Sequence, residues 1–331
     1  MIITKPGYYD DFHCLASGCP DSCCQEWDVQ VDRETAARYL ALPGALGDRL
    51  RSVLKAGGDG EYFMEIEDRR CPMWRPDGLC RVQAELGHDG LCQVCQEFPR
   101  LRHDYGDFVE LGLELSCPEA ARLMLTGPAR PDISWEEPGG EPPEYDREAM
   151  EVLLRTRKTA LALLENRPVP QALSLLLLYG YRAQEELDGG ETDSFQPEGA
   201  LKFARRMAQD GDAAALTDFF TGLEILTPRW KERLEAPRPG PWGEALRAMA
   251  RCGIQRYWLQ AVADYDLVCR VKMVVTGCLL VRTLGGDPIE TAQLYSKEID
   301  NSIDNVEAVL DGAYTHPALT DANLLGLLLG R

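Results

Sequence analysis

The chain is poor in histidine, with 4 in 331 residues, and poor in positive charge, with 35 Lys and Arg against 54 Asp and Glu. None of the histidines stands in a His-rich metal motif, so ordinary surface or core roles are expected of His13, His88 and His103 before ligation. The net charge of −19 would repel a phosphate backbone, and no basic aromatic stripe argues otherwise, so nucleic acid is not an expected partner. The same field would draw in a basic group such as an exposed lysine side chain, although acidic balance also serves simple solubility. Long apolar runs are missing as well. The longest, 274–281, is interrupted by Thr276, Gly277 and Cys278 and bracketed by Lys272 and Arg282. It falls short of the roughly 20 residues that span a bilayer, so no membrane partner is expected. The first residues have one lysine, no apolar stretch and no small-residue cleavage site, which does not read as a secretory signal. A cytoplasmic location with reduced thiols is the expectation.

What the chain does have is cysteine, and unevenly. Nine of its 12 cysteines fall in the first 117 residues, at Cys14, Cys19, Cys23, Cys24, Cys71, Cys80, Cys92, Cys95 and Cys117. A disulfide framework belongs to oxidising compartments and to domains too small to build a core. At 331 residues and 45% hydrophobic this chain has material for a full core and about two domains. A metal or iron–sulfur site is therefore the better reading. Thiolate is the ligating form, and an all-sulfur cage selects zinc, copper(I) or iron–sulfur clusters over hard cations. Cys19, Cys23 and Cys24 share a turn-forming segment, Cys92 and Cys95 form a pair with a two-residue gap, and Cys71 and Cys80 enclose a turn-rich hairpin. Two pairs suit zinc and iron–sulfur equally, so spacing leaves both open. Adjacent Cys23 and Cys24 generally point apart, and nine thiols exceed four ligands.

Composition changes after Cys117. The stretch 127–146 carries Pro128, Pro131, Pro138, Pro142, Pro143 and paired Gly139-Gly140, and reads as a linker between a cysteine-rich domain, 1–126, and a helical domain, 147–331. The expected fold is mostly α: short strands and helices around the cysteines, then an all-helical domain. In the first part Asp32 is positioned to cap a helix to about Leu42, stopped by Pro43-Gly44, and 62–66 and 108–115 alternate as strands. In the second, apolar residues recur at helical spacing over 149–164, 172–181, 201–207, 213–226, 242–262 and 267–284, with two further helices near 289–310 and 319–328. Cys252, Cys269 and Cys278 lie on these helices and read as small core hydrophobes.

The run Tyr9-Asp10-Asp11-Phe12-His13-Cys14, the Cys19–Cys24 segment followed by Trp27, Cys71-Pro72 through Leu79-Cys80, and Leu91-Cys92-Gln93-Val94-Cys95-Gln96-Glu97-Phe98-Pro99-Arg100 together closely resemble the flagellin lysine-N-methylase family. The resemblance covers about 1–126. Small zinc- or iron-chelating proteins share part of the cysteine pattern but lack the helical remainder. The resemblance implies S-adenosylmethionine-dependent methylation of lysines on flagellin, with a 4Fe-4S cluster; zinc is the alternative metal. The ligand pool it implies is Cys19, Cys23, Cys24, Cys71, Cys80, Cys92 and Cys95, with Cys14 and Cys117 as outer candidates.

Methylation needs an unprotonated amine, so a base or desolvating pocket is expected near the cysteines. The catalytic candidates are Tyr9, Asp10, Asp11 and Glu26, with Tyr8, Asp28 and Glu97 beside them. Trp27 and Trp74 are candidates for walling a pocket or holding a lysine, against ordinary packing. Arg100 is a candidate contact for a cluster or cofactor carboxylate, against a structural salt bridge. The Gly-rich turn of doubly wound methyltransferases is absent, since Gly285-Gly286 ends a helical stretch, and so is the cysteine triplet of common radical enzymes. The alternative function is a zinc- or cluster-binding interaction or electron-transfer protein without methyl transfer.

Overall fold

The computed structural model describes residues 1–25, 27, 29–127, 130–191 and 193–330. Its sequence order is β1 (Ile2–Lys5), β2 (Val29–Val31), α1 (Arg33–Ala41), α2 (Gly44–Val53), β3 (Leu54–Ala56), β4 (Tyr62–Met64), α3 (Arg81–Leu86), α4 (Gln93–Glu97), β5 (Arg100–Asp104), β6 (Phe108–Leu113), α5 (Pro118–Thr126) and β7 (Ile133–Glu136). Then come α6 (Arg147–Leu163), α7 (Val169–Leu187), α8 (Pro197–Met207), α9 (Ala213–Thr221), α10 (Pro228–Glu235), α11 (Glu244–Tyr257), α12 (Val268–Leu284), α13 (Pro288–Ile299), α14 (Ile303–Thr315) and α15 (Asp321–Leu329). The fold is mostly α, with small sheets and short helices ahead of a helical region.

Two sheets organise the cysteine-rich part. One has the order β5-β6-β1-β7, with β1 parallel to β6 (Ile3 opposite Val109) and antiparallel to β7 (Ile3 opposite Trp135). The other is β2-β4-β3. The strand expected at 108–115 ends at Leu113, where the chain turns through Leu115 and Ser116 into α5. The strand expected at 62–66 is Tyr62–Met64. The Pro/Gly-rich stretch expected as a linker carries β7, whose partner is the chain's own N-terminal strand. Pro128 of that stretch lies outside the described residues. Asp32 caps α1 as expected, accepting from the Thr35 N–H at 2.8 Å. Pro43-Gly44 ends that helix and also begins α2, because Pro43 at the cap carries an extended ψ of 166°.

The helical region is built around α12, whose residues are buried on nearly all sides, Arg270 and Lys272 included. A helix apolar all round belongs at the centre of a bundle. α7 and α11 lie against it closely enough to need glycine: a Cβ at Gly180 would sit 2.9 Å from Val271, and one at Gly253 would sit 2.8 Å from Val274. Side-chain caps mark helix starts at Asp146, Asp212, Thr227, Asp287, Ser302 and Thr320. The expected helix at 289–310 is broken into α13 and α14, because the Ser302 hydroxyl accepts from Asn305 N–H and starts a new helix. The expected 242–262 helix passes from α11 into a 3-10 turn, Trp258–Val262. Among the described residues, no helix is long and apolar enough to cross a membrane.

The two regions are stitched together. Arg157 on α6 makes a bidentate pair with Glu110 on β6, at 2.5 and 2.7 Å. Arg256 on α11 reaches Glu114 at 2.9 Å and Asp300 at 3.7 Å. α5 packs on both α11 and α13.

A candidate thiol site

Local backbone bonds bring the cysteine segments together. The Cys71 N–H donates to the Cys24 carbonyl at 2.8 Å, which joins the first cysteine loop to the second. The 71–80 segment folds back on itself as the turn residues predict. Trp74 bridges Cys80, and Arg81 N–H donates to Met73 carbonyl at 2.7 Å. Cys80, Cys92 and Cys117 each stand at the N-cap of a helix, α3, α4 and α5 respectively. Asp32 links α1 to the Cys92–Cys95 turn, because its second carboxylate oxygen accepts from Gln93 N–H at 3.0 Å.

All the cysteines are free thiols. Cys24, Cys71, Cys80, Cys92 and Cys95 share one cluster with Tyr39, Met64, Met73 and Leu91. Cys71 and Cys92 are buried, while Cys24, Cys80 and Cys95 are partly so. A hydrogen bond between the Cys92 and Cys95 thiols holds Cys92 below the ordinary thiol value and pushes Cys95 up. A similar bond from Cys24, together with burial, pushes Cys23 up. Cys71 is pushed up to about 11, chiefly by burial and in part by the neighbouring Cys80, Cys92 and Cys23. Burial also raises Cys80, beside Cys23 and Cys92.

The outer cysteines group differently. Burial raises Cys19, whose thiol neighbours are Cys14 and Cys23, and burial raises Cys117 to about 11, with Cys19 and Cys23 nearby. Cys23 thus stands between an inner group, Cys24, Cys71, Cys80, Cys92 and Cys95, and an outer one, Cys14, Cys19 and Cys117. As the side chains stand, no three or more His, Cys, Asp or Glu among the described residues converge as a ready metal site. The donor chemistry is nonetheless that of a soft-metal site: several uncrosslinked, mutually neighbouring thiols from loops, helix caps and the short α4. Such ligands commonly close only around the ion.

The histidines stand apart from this. His13 bonds the Asp11 carbonyl at the surface, His88 is exposed, and His103 in β5 has Arg256, Glu110 and Arg157 as charged neighbours, with burial lowering its pKa. Of the catalytic candidates, Asp10 pairs with Lys5 at 2.5 Å and Asp11 with Arg130 at 2.6 Å, both in exposed positions. Burial raises Tyr9, whose charged neighbours include Arg100, Asp10, Lys5 and Glu97. Burial raises Tyr8, against Cys252 and Asp132. Glu97 accepts from the Gln93 side chain at 2.9 Å. Glu26 and Asp28 lie outside the described residues. The Arg100 guanidinium stands 5.1 Å from the centre of the Phe12 ring and is a charged neighbour of Tyr9. Arg70 covers Trp74 at 3.9 Å, and Trp27 meets Phe98 and the Lys297 ammonium. Cys252 and Cys278 are buried in the helical core as expected, and Cys269 is buried beside Asp266.

Sequence reasoning missed Tyr39, Asp21, Gln293 and Lys297. Tyr39 is 2% exposed, donates to the Gly90 carbonyl at 2.8 Å, and is raised by burial and by Cys92, Cys95 and Cys80 around it. Its position on the apolar face of α1 was the one available signal.

No protein-family model matches the chain, and no solved structure matches it. Curated proteins do. The flagellar biosynthetic protein FliU of Salmonella muenchen is 34% identical over 134 residues, covering 39% of this chain and 79% of that protein. Lysine-N-methylases of Salmonella choleraesuis and Salmonella typhimurium are each 33% identical over 134 residues, again 39% of this chain but 33% of theirs. The matched part of the chain thus spans about a third of the length of either methylase. It lies in the N-terminal ~40%, where the thiols are.

Proposed function

The chain belongs to the flagellin lysine-N-methylase family, and from that premise we propose that it transfers methyl groups from S-adenosylmethionine to lysine side chains of flagellin, using a soft-metal or 4Fe-4S site held by its N-terminal cysteines. The observation that carries this reading is the gathering of Cys23, Cys24, Cys71, Cys80, Cys92 and Cys95, from three separate segments, into one neighbourhood within the part of the chain its relatives share.

The ligands of the group would come from among those six thiols, with Cys19 next to them on the outer side. A bound cluster or zinc that keeps one coordination position open would supply Lewis acidity toward a polar cofactor group. The chain's own residues do the rest. The apolar cluster of Val29, Tyr39, Leu46, Leu50 and Val53 behind the thiols keeps water from that side. The net charge of −19 favours approach of a cationic lysine. Asp10 and Asp11 stand in exposed pairs with Lys5 and Arg130, which would have to part for either carboxylate to take a proton.

A second reading has one observation in its favour. The relative matched along most of its length is named for flagellar biosynthesis without methylation, so a thiol–metal module that assists flagellar assembly fits the same match. Mass spectrometry of unmethylated flagellin, incubated with the anaerobically prepared chain and S-adenosylmethionine, separates the two. Methyl-lysine that is lost in Cys71→Ala/Cys92→Ala supports the methylase. Unmodified flagellin with a fully metal-loaded chain leaves the module.

A further inference from the structure

The Cys19–Cys24 loop is held by side chains from the far end of the protein. Lys297 on α13 is 2% exposed, and its Nζ donates to both carboxylate oxygens of Asp21 at 3.0 Å and to the Ser22 carbonyl at 3.2 Å. It also lies 5.5 Å from the centre of the Trp27 ring, within cation–π range. One helical turn earlier, on the same face, the Gln293 amide donates to Asp21 at 2.9 Å and to the Ser116 carbonyl at 2.7 Å. Asp21 and Ser22 separate Cys19 from Cys23, and Ser116 precedes Cys117. One face of α13 therefore grips two cysteine-bearing segments at once.

Packing alone does not call for an ammonium ion there. Buried ion pairs are often matched or bettered by apolar residues of similar volume, and desolvating the charge is costly. What the pair adds is a fixed shape for the loop, with its ammonium close enough to act on Cys23 while its Asp21 carboxylate acts on Cys19. Several thiolates around one metal leave a net negative site, which a cation held in a water-poor setting offsets.

We propose that Lys297 is a positioning residue of the thiol site: with Gln293 it clamps the Cys19–Cys24 loop and provides the permanent counter-charge for an anionic, thiolate-bound metal or cluster. The counter-charge half rests on the soft-metal reading of the cysteines; the clamp half does not. The helical region is then part of the site.

The test uses the full chain, purified without oxygen, as wild type, Lys297→Met, Lys297→Arg and the double variant Asp21→Asn/Lys297→Met, which leaves no lone buried carboxylate. Two quantities are read: alkylation rates at individual cysteines by mass spectrometry, and cobalt(II) affinity from the thiolate-to-metal absorption. In Lys297→Met, alkylation at Cys19 and Cys23 rises about tenfold while Cys71 and Cys92 stay within about twofold, as expected for loosening one local segment. Cobalt(II) affinity falls about tenfold in Lys297→Met and in the double variant, the scale of a charge coupling, and recovers in Lys297→Arg. Unchanged alkylation and affinity in Lys297→Met overturn the proposal. A uniform rise at every cysteine in both Met variants also overturns it, because Lys297 would then support the fold as a whole. A wild-type chain that takes up no cobalt(II) removes the metal reading and the counter-charge, while the alkylation contrast still decides the clamp.

Discussion

Cysteine is used in opposite ways in the two regions of this chain. In the helical region Cys252 and Cys278 are enclosed by the core around α11 and α12, with Tyr8, Arg251 and Tyr295 as their polar neighbours, and the cost of desolvation keeps them protonated. In the N-terminal region the thiols occupy loops, helix caps and, for Cys95, the short α4, neighbour one another and carry hydrogen bonds from thiol to thiol. Residue type is the same but burial is not: Cys252, Cys269 and Cys278 are all buried, while the N-terminal thiols range from buried Cys71 and Cys92 to exposed Cys14 and Cys23 and keep the company of other thiols. The contrast is sharpened by the join between the regions, where Arg256, Arg157, Gln293 and Lys297 all reach from helices into the segments that carry the strands and thiols.

The largest effect is expected where that join is cut. Arg256→Met leaves Glu114 and Asp300 facing each other without their cation, and breaking a pair this buried costs about 3–5 kcal/mol. Urea unfolding should show the loss, with both regions destabilised together; a loss confined to the helices would separate them.

Next comes a pH effect confined to the helical region. Burial raises the Glu298 carboxyl from 4.5 to about 7, although Leu226 N–H donates to it at 2.7 Å. The folded state then binds more protons than the unfolded state between those values, so stability falls as pH rises from 4.5 to about 7 and levels off above. The difference is about 3 kcal/mol. Glu298→Gln should flatten that slope, measured by denaturation midpoints across pH; an unchanged slope would assign the effect elsewhere.

A smaller loss, about 1–2 kcal/mol, is expected for Asp32→Ala, which removes the cap of α1 and the tie to α4 at once. Faster hydrogen exchange at Cys92–Cys95 than in α12 would place that damage in the thiol region. The smallest is Asp10→Asn. Its partner Lys5 is near but Asp10 is 65% exposed, so less than about 1 kcal/mol is at stake in thermal unfolding. Loss of methyl transfer in that variant would return Asp10 to the list of catalytic groups.

Legibility in the sequence followed distance along the chain. Helices were readable where periodicity ran long, as in α6, α7 and α12, but the ten-residue α2 was missed behind Pro43-Gly44; Asp32 was readable as a cap because its partner is three residues away. The cysteine pool stood out because thiols are rare and their pairs are close together in sequence. β7 was not, because a four-residue strand among prolines declares itself only by pairing with the chain's first residues. Nor was Lys297, an ordinary polar residue on a helix until Asp21 arrives from 276 positions away. Tyr39 read as core and is core; its closeness to Cys80, Cys92 and Cys95 is a property of the fold.

The most direct measurement is anaerobic purification of the full chain followed by optical and EPR spectra with iron, sulfide and zinc analysis, on wild type and on Cys71→Ala/Cys92→Ala. A soft-metal thiol site requires stoichiometric metal in the wild type and its loss in the double variant, with the helical content unchanged. Metal-free wild type with every N-terminal thiol open to alkylation, or a variant that keeps its full metal content, would contradict it.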